Sequence, residues 1–175
     1  MRILTLIFLL SIFSFKTNED RTPIKLLKDA ESKKIDWTPK KVTISYLNNF
    51  VQLYPKDFNK SIRHGYEFNC YEFVCLIKSY SLIENGNFRL VLSDSRDTSK
   101  TIKAELINPE NAEAKKSNFV NSFSQTMIEF KNYIKRDSTL SNAYFTVMGV
   151  AFFNSDSKIE LAPIMDFQIK EKIIK

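Results

Sequence analysis

The sequence predicts a mainly β fold: five strands wrapped as a barrel, one helix between the third and fourth of them, and an N-terminal extension in front. Three observations predict it. Fifteen Phe and seven Tyr against three Gly and five Pro in 175 residues describe a chain rich in β-compatible aromatics and long enough to bury one core. Apolar residues alternate with polar ones in most of the later segments, as they do along strands with one buried face. The apolar period changes to that of a helix in one place, residues 117–136.

Taken in order, residues 18–41 are polar and Lys-rich with short apolar notes at Ile24, Leu26, Leu27, Ile35 and Trp37, which describes an extension. Thr43 fits the cap of a short helix through Ile44, Tyr46, Leu47 and Phe50. The same stretch, VTISY, also alternates like a strand. Residues 54–65 hold Pro55 and Gly65 and mark a connecting loop.

The β signal then strengthens. Residues 66–83 form a long strand with Tyr71, Phe73, Cys75 and Ile77 pointing inward, and "ENGN" at 84–87 supplies an Asn-Gly hairpin turn. Phe88, Leu90 and Leu92 alternate with Arg89, Val91 and Ser93. After a polar turn, Ile102, Ala104 and Leu106 alternate with Lys103, Glu105 and Ile107, which completes a three-stranded meander.

Phe119, Phe123, Met127, Phe130 and Ile134 then fall on one helical face, with Ser117 as cap and Lys135-Arg136 at the C-terminal end of the dipole. Residues 144–153 are apolar on both faces. In 159–169, Ile159, Leu161, Pro163, Met165, Phe167 and Ile169 alternate strictly with their neighbours. Three strands, a helix and two strands is the element order of the OB-fold, a five-stranded Greek-key barrel.

Met1-Arg2 is followed by the apolar run ILTLIFLLSIFSF and then by charged residues, the pattern of a secretory signal peptide ending at Ser14 or a few residues later. The expected organisation is a signal peptide over 1–17, an extension and loop over 18–65, the barrel over 66–170 and a tail over 171–175. The expected localisation is export to the periplasm, cell surface or medium, with no stable membrane span once the signal is removed. No Cys precedes Cys70, so a lipoprotein anchor is not expected.

The net charge of +6 is scattered. Lys33-Lys34, Lys40-Lys41 and Lys115-Lys116 are isolated pairs, and no block resembles a nucleic-acid-binding arm. Cys70 and Cys75 lie five apart, on opposite faces of one predicted strand, which argues against a disulfide between them. His64 is the single histidine, so one chain holds no His-based triad and no two-His metal site. Asp94, Asp97 and Asp156 lack the ligand density of a calcium loop. No catalytic constellation, metal site or cofactor is expected.

The blocks "KLLKDAESKKIDWTPKKVTISYLNNF", "ENGNFRLVLSD", "TIKAELINPE", "VMGVAFFN" and "KIELAPI" resemble, in order, those of a widespread family of small secreted bacterial proteins with an OB-like core and no assigned activity. The resemblance runs from about Lys25 to Ile169. Family patterns resemble D-G-D-x-H-L-V-L, A-E-I-P-x-P, G-V-G-F-F-D and I-E-L-H-P-V. Here Asn85 and Asn87 stand where relatives have Asp, Arg89 and Ala162 where they have His, and Asn154 where they have an acid. The family's Cys is missing near Glu110 and Asn111, and its long last loop is reduced to residues 154–158. An acid-base or metal site built on those family positions is therefore not reproduced in this chain.

The resulting expectation is an exported binding module whose ligand, a small molecule or an envelope protein, meets a rim formed by Asn85, Asn87, Arg89, Lys103, Asp156 and Lys158. The rim follows from OB topology, in which the loops after the first and fourth strands flank one face. Two alternatives are an envelope hydrolase or metal-dependent enzyme that has lost its His/Asp site, and single-strand nucleic-acid binding on the OB face. The second lacks the stacking platform such binders use.

Overall fold

A computed structural model describes residues 21–50, 62–137, 143–154 and 158–170. Six strands form one sheet: β1 (Asp36–Lys41), β2 (Asn69–Leu82), β3 (Phe88–Asp94), β4 (Thr101–Leu106), β5 (Tyr144–Phe153) and β6 (Ile159–Lys170). Their order is β1-β2-β3-β4-β6-β5, and a further β2–β5 pairing closes β2 through β6 into a ring. Neighbours in the ring are antiparallel except β4 and β6, which run parallel. This is the Greek-key barrel of the OB type, with its helix, α3 (Val120–Arg136), between the third and fourth barrel strands.

The barrel interior follows the alternation. Tyr71, Phe73, Cys75 and Ile77 of β2 meet Leu90 and Leu92 of β3, Ile102, Ala104 and Leu106 of β4, and Phe145 and Val147 of β5 in one buried cluster. Helix α3 adds Met127, Phe130 and Tyr133 to that cluster and closes one end of the barrel. Phe130 sits edge-on to Tyr80, Phe88 and Phe167, the arrangement aromatic quadrupoles favour. Ser117 does not cap the helix directly. Its hydroxyl accepts from Phe119 N at 3.1 Å in the turn that leads into α3.

Three expectations are corrected. The strict alternation along β6 breaks, because the β5–β6 register shifts on both sides of Gly149. Ile159, Leu161, Ile164 and Phe167 therefore reach the core, while Met165 packs on the outer cluster and Ile169 is half exposed. Gly149 permits this: a Cβ there would lie 2.6 Å from Pro163 O and 2.8 Å from Leu161 Cγ.

The extension is also more than an appendage. Residues 36–41 form β1, which pairs parallel with the start of β2. Ahead of it, α1 (Thr22–Lys25) and the turns that follow lay Ile24 on Phe152 and Ala162, and Leu26, Leu27 and Ile35 on Val150, Ile107 and Phe123. β5 is apolar on both faces because one face lines the barrel and the other lies under this segment. Burying each of those aliphatic side chains contributes about 1.5–3 kcal/mol.

Of the two readings of the VTISY stretch, the helix is observed. α2 (Ile44–Asn48) starts where Thr43 Oγ1 accepts from Tyr46 N at 3.1 Å. Thr43 also has extended backbone, as an N-cap residue requires.

The third correction concerns His64, expected in an exposed loop. It is half-buried at the head of a 3-10 turn (Gly65–Phe68), with its backbone N–H donating to Glu67 Oε2 at 2.9 Å. The cysteines behave as expected. Both are free and fully buried, with Cys75 in the barrel core. The predicted signal peptide and tail lie outside the described residues, as does most of the 54–65 loop. No described helix is long and apolar enough to cross a membrane.

Candidate ligand-binding face

The outward residues of β3 and β4 pair across the ladder as Arg89 with Glu105, Val91 with Lys103, and Ser93 with Thr101. The two ends of this face differ. At the Arg89 end the N-terminal segment lies close: Lys25 Nζ donates to Glu105 Oε2 at 2.7 Å, and Asn87 Nδ2 donates to Glu105 Oε1 at 2.6 Å. Glu105 is only 3% exposed there, a buried carboxylate matched by one cation and one amide.

The Thr101 end is open. A groove of about 280 Å³ is lined there by Asn48, Val91, Thr101, Lys103, Lys158 and Glu160, among others. Topology builds it. The parallel β4–β6 pairing sets Lys103 beside Glu160, so the residue just before β6, Lys158, arrives next to β4. From the other side α2 brings Asn48, whose amide donates to Thr101 O at 3.2 Å.

Both lysines are exposed, and neither forms an ion pair among the described residues. Glu160 is buried and its carboxylate accepts from Asn154 Nδ2 at 2.8 Å. The same Asn154 side chain accepts from Lys158 N at 3.1 Å, which fixes the entry to β6. The groove thus offers two free ammonium groups, an amide-bearing helix end and one carboxylate already engaged.

The predicted rim is brought together only in part. Lys103 and Lys158 share the groove. Asn85 and Asn87 lie at the other end of the ladder, next to Asn108, about 15 Å away along β4 at strand rise. The register accounts for this: Phe88 faces Leu106 while Lys103 faces Glu160.

Asn87 is a support for the turn and only 3% exposed. Its Oδ1 accepts from Asn108 N at 2.8 Å while its Nδ2 holds Glu105. Asn85 Oδ1 accepts from Asn87 N at 3.1 Å, and Gly86 takes φ +78° between them, the conformation glycine adopts without cost. Arg89 is exposed at the closed end. Asp156 lies outside the described residues.

Sequence reasoning did not find Asn48, whose role depends on where α2 docks. It also did not find the buried ionic cluster that ties the N-terminal segment down. Glu67 is fully buried and accepts from both Arg21 Nη atoms, from His64 N and from Phe153 N at 2.8–2.9 Å. Arg63 joins Asp29 at 2.7 Å and Ile24 O at 2.7 Å. Every oxygen of Glu67 is engaged in holding backbone and cations, which makes it structural.

The cysteines are buried and the aspartates of the 94–100 turn are engaged. Burial pushes the Cys70 thiol up to about 12 and the Cys75 thiol higher still, so both stay protonated and unreactive at neutral pH. Asp94 accepts from Ser45 N and Arg96 N, and Asp97 from Ser99 N and Oγ. No group of three metal-ligating side chains occurs among the described residues. Comparison of the chain with protein-family models, with curated proteins and with solved structures finds no match.

Proposed function

We propose that the protein is an exported binding module of the secreted bacterial OB-like family its motif blocks resemble, and that its ligand presents an anionic group to Lys103 and Lys158. The observation that carries this reading is the open groove, where the ammonium groups of Lys103 on β4 and of Lys158 just before β6 flank a concave surface of an OB-type barrel without an ion-pair partner among the described residues. Clefts with a few convergent polar groups are where small ligands settle. The short basic start at Met1-Arg2 and the apolar run that follows it support export. Within that compartment the partner is a free anionic metabolite, an acidic glycan or an acidic segment of an envelope protein.

The nucleic-acid alternative has less support. The outward positions Arg89, Val91, Ser93, Thr101, Lys103 and Glu105 carry no aromatic ring, and single-strand binders stack bases on such rings. No observation favours the envelope-enzyme alternative.

Two experiments test the proposal. Cell fractionation of the tagged protein is expected to recover a shortened chain outside the cytoplasm; full-length protein in the cytosol contradicts export. Calorimetric titration with inorganic phosphate, nucleoside phosphates and uronic-acid oligosaccharides is expected to give salt-sensitive binding that Lys103→Glu or Lys158→Glu abolishes. Binding that neither substitution changes contradicts the placement.

A further inference from the structure

A second concave surface lies between the C-terminal half of α3 and the end of β6, away from the β3–β4 face. It encloses about 330 Å³, at the lower end of the range for small-ligand sites. Its walls come from Glu129, Asn132, Tyr133 and Arg136 on the helix and from Phe167 and Ile169 on the strand. Two of its polar atoms are buried without a partner: the hydroxyl of Tyr133, a residue 6% exposed, and Oε2 of Glu129. Buried polar atoms in folded proteins nearly always find partners, so two orphans on the wall of one groove mark a place where a hydrogen-bonding molecule belongs.

The neighbours define that molecule. Glu129 Oε1 already accepts from Gln125 Nε2 at 2.7 Å, leaving Oε2 as the oxygen without a partner. The Tyr133 hydroxyl both donates and accepts. Asn132 and Arg136 are exposed at the mouth, and Arg136 forms no ion pair among the described residues. Glu129 and Arg136 are the two charged residues of the lining and are opposite in sign, with Asp137 near Tyr133 just beyond it. Ile169, half exposed, and the edge of Phe167 give it an apolar wall. A ligand that donates and accepts at adjacent atoms, has one apolar face and carries no net charge suits this lining.

We propose that this groove binds a neutral carbohydrate. Adjacent ring hydroxyls donate to Glu129 Oε2 and share a hydrogen bond with Tyr133, further hydroxyls accept from Asn132 and Arg136, and the C–H face of the sugar lies on Ile169. The site is separate from the lysine groove and adds a second recognition surface to the module.

The test is a heteronuclear NMR titration of the full chain with glucose, N-acetylglucosamine and maltose, alongside glucosamine and gluconate as charged counterparts. Saturable shifts are expected for the amides of residues 129, 132, 133 and 169 with at least one neutral sugar, at affinities on the order of millimolar. Tyr133→Phe and Glu129→Gln are each expected to weaken this binding about three- to tenfold, the effect of losing one hydrogen bond. Tyr133→Phe removes an orphaned hydroxyl and is expected not to lower the melting temperature, which separates lost binding from lost folding. Lys103→Glu is expected to leave sugar binding unchanged, so this result stands apart from that for the lysine groove. Absence of saturable shifts at these residues, tighter binding of glucosamine or gluconate than of the neutral sugars, or insensitivity to both substitutions overturns the proposal.

Discussion

Arg21 and Glu67, 46 positions apart in sequence, form a buried two-point ion pair at 2.8–2.9 Å that joins the N-terminal segment to the turn leading into β2. Breaking such a pair leaves an unmatched charge in the interior, which costs about 3–5 kcal/mol. Arg21→Ala and Glu67→Gln are therefore each expected to lower the unfolding free energy by about that much in urea titrations. A coupled double substitution to apolar residues should cost less than the two single losses added together. A loss below about 1 kcal/mol for either single change would mean that the pair is not buried in solution.

The start of β6 offers a contrast within a few residues. Lys158 is exposed and Leu161 fully buried. Lys158→Ala is expected to alter stability by less than about 0.5 kcal/mol, and Leu161→Ala to cost about 2–5 kcal/mol. Chemical denaturation of both variants checks the boundary between groove and core.

The glycines test the irregular β5–β6 pairing. Gly149→Ala drives a methyl into Pro163 O and the Leu161 side chain and is expected to destabilise by about 1–3 kcal/mol, as overpacking does. Gly65→Ala meets nothing within 4 Å at its Cβ position and is expected to be neutral or slightly stabilising. Equal effects at the two sites would contradict the close approach of the strands.

Most of the barrel was legible in the sequence because each of its strands carries its own pattern. Phe88, Leu90 and Leu92, then Ile102, Ala104 and Leu106, declare two adjacent strands without reference to anything distant. β1 carries no such pattern. Apart from half-buried Trp37 its residues are exposed, and its pairing with β2 is visible only once the fold exists. The burial of Arg21 and Glu67 was hidden for the same reason: a charged side chain reads as surface until its partner arrives. Of the candidate rim, Lys103 and Lys158 meet through the parallel β4–β6 register, and Asn87 is diverted inward by Glu105. Loop order alone does not specify how far along β4 each loop lands, so the sequence did not show that the 84–87 turn and Lys158 reach opposite ends of the ladder.

The thiols give the pH dependence its sign. Burial raises Cys70 from its ordinary value of 9.0 to about 12 and raises Cys75 as well. Each folded-state value lies above the unfolded one, so the folded chain holds these protons more tightly. The stabilisation is complete below about pH 9 and is lost as pH rises toward the folded values. Urea midpoints are expected to fall steadily above pH 9, and thiol reagents at pH 8 to label the cysteines only after denaturation. Rapid labelling of the native protein would contradict their burial.

The measurement that tests the central claim most directly is an amide shift map of the full chain against anionic ligands, run at low and high salt, for the native sequence and for Lys103→Glu/Lys158→Glu. The lysine-groove account predicts that amides of residues 48, 91, 103, 158 and 160 move together, that the movement shrinks as salt rises, and that the double substitution abolishes it. Shifts confined to the N-terminal segment around residues 24–37 or to α3, or a pattern indifferent to the two charge reversals, would contradict it.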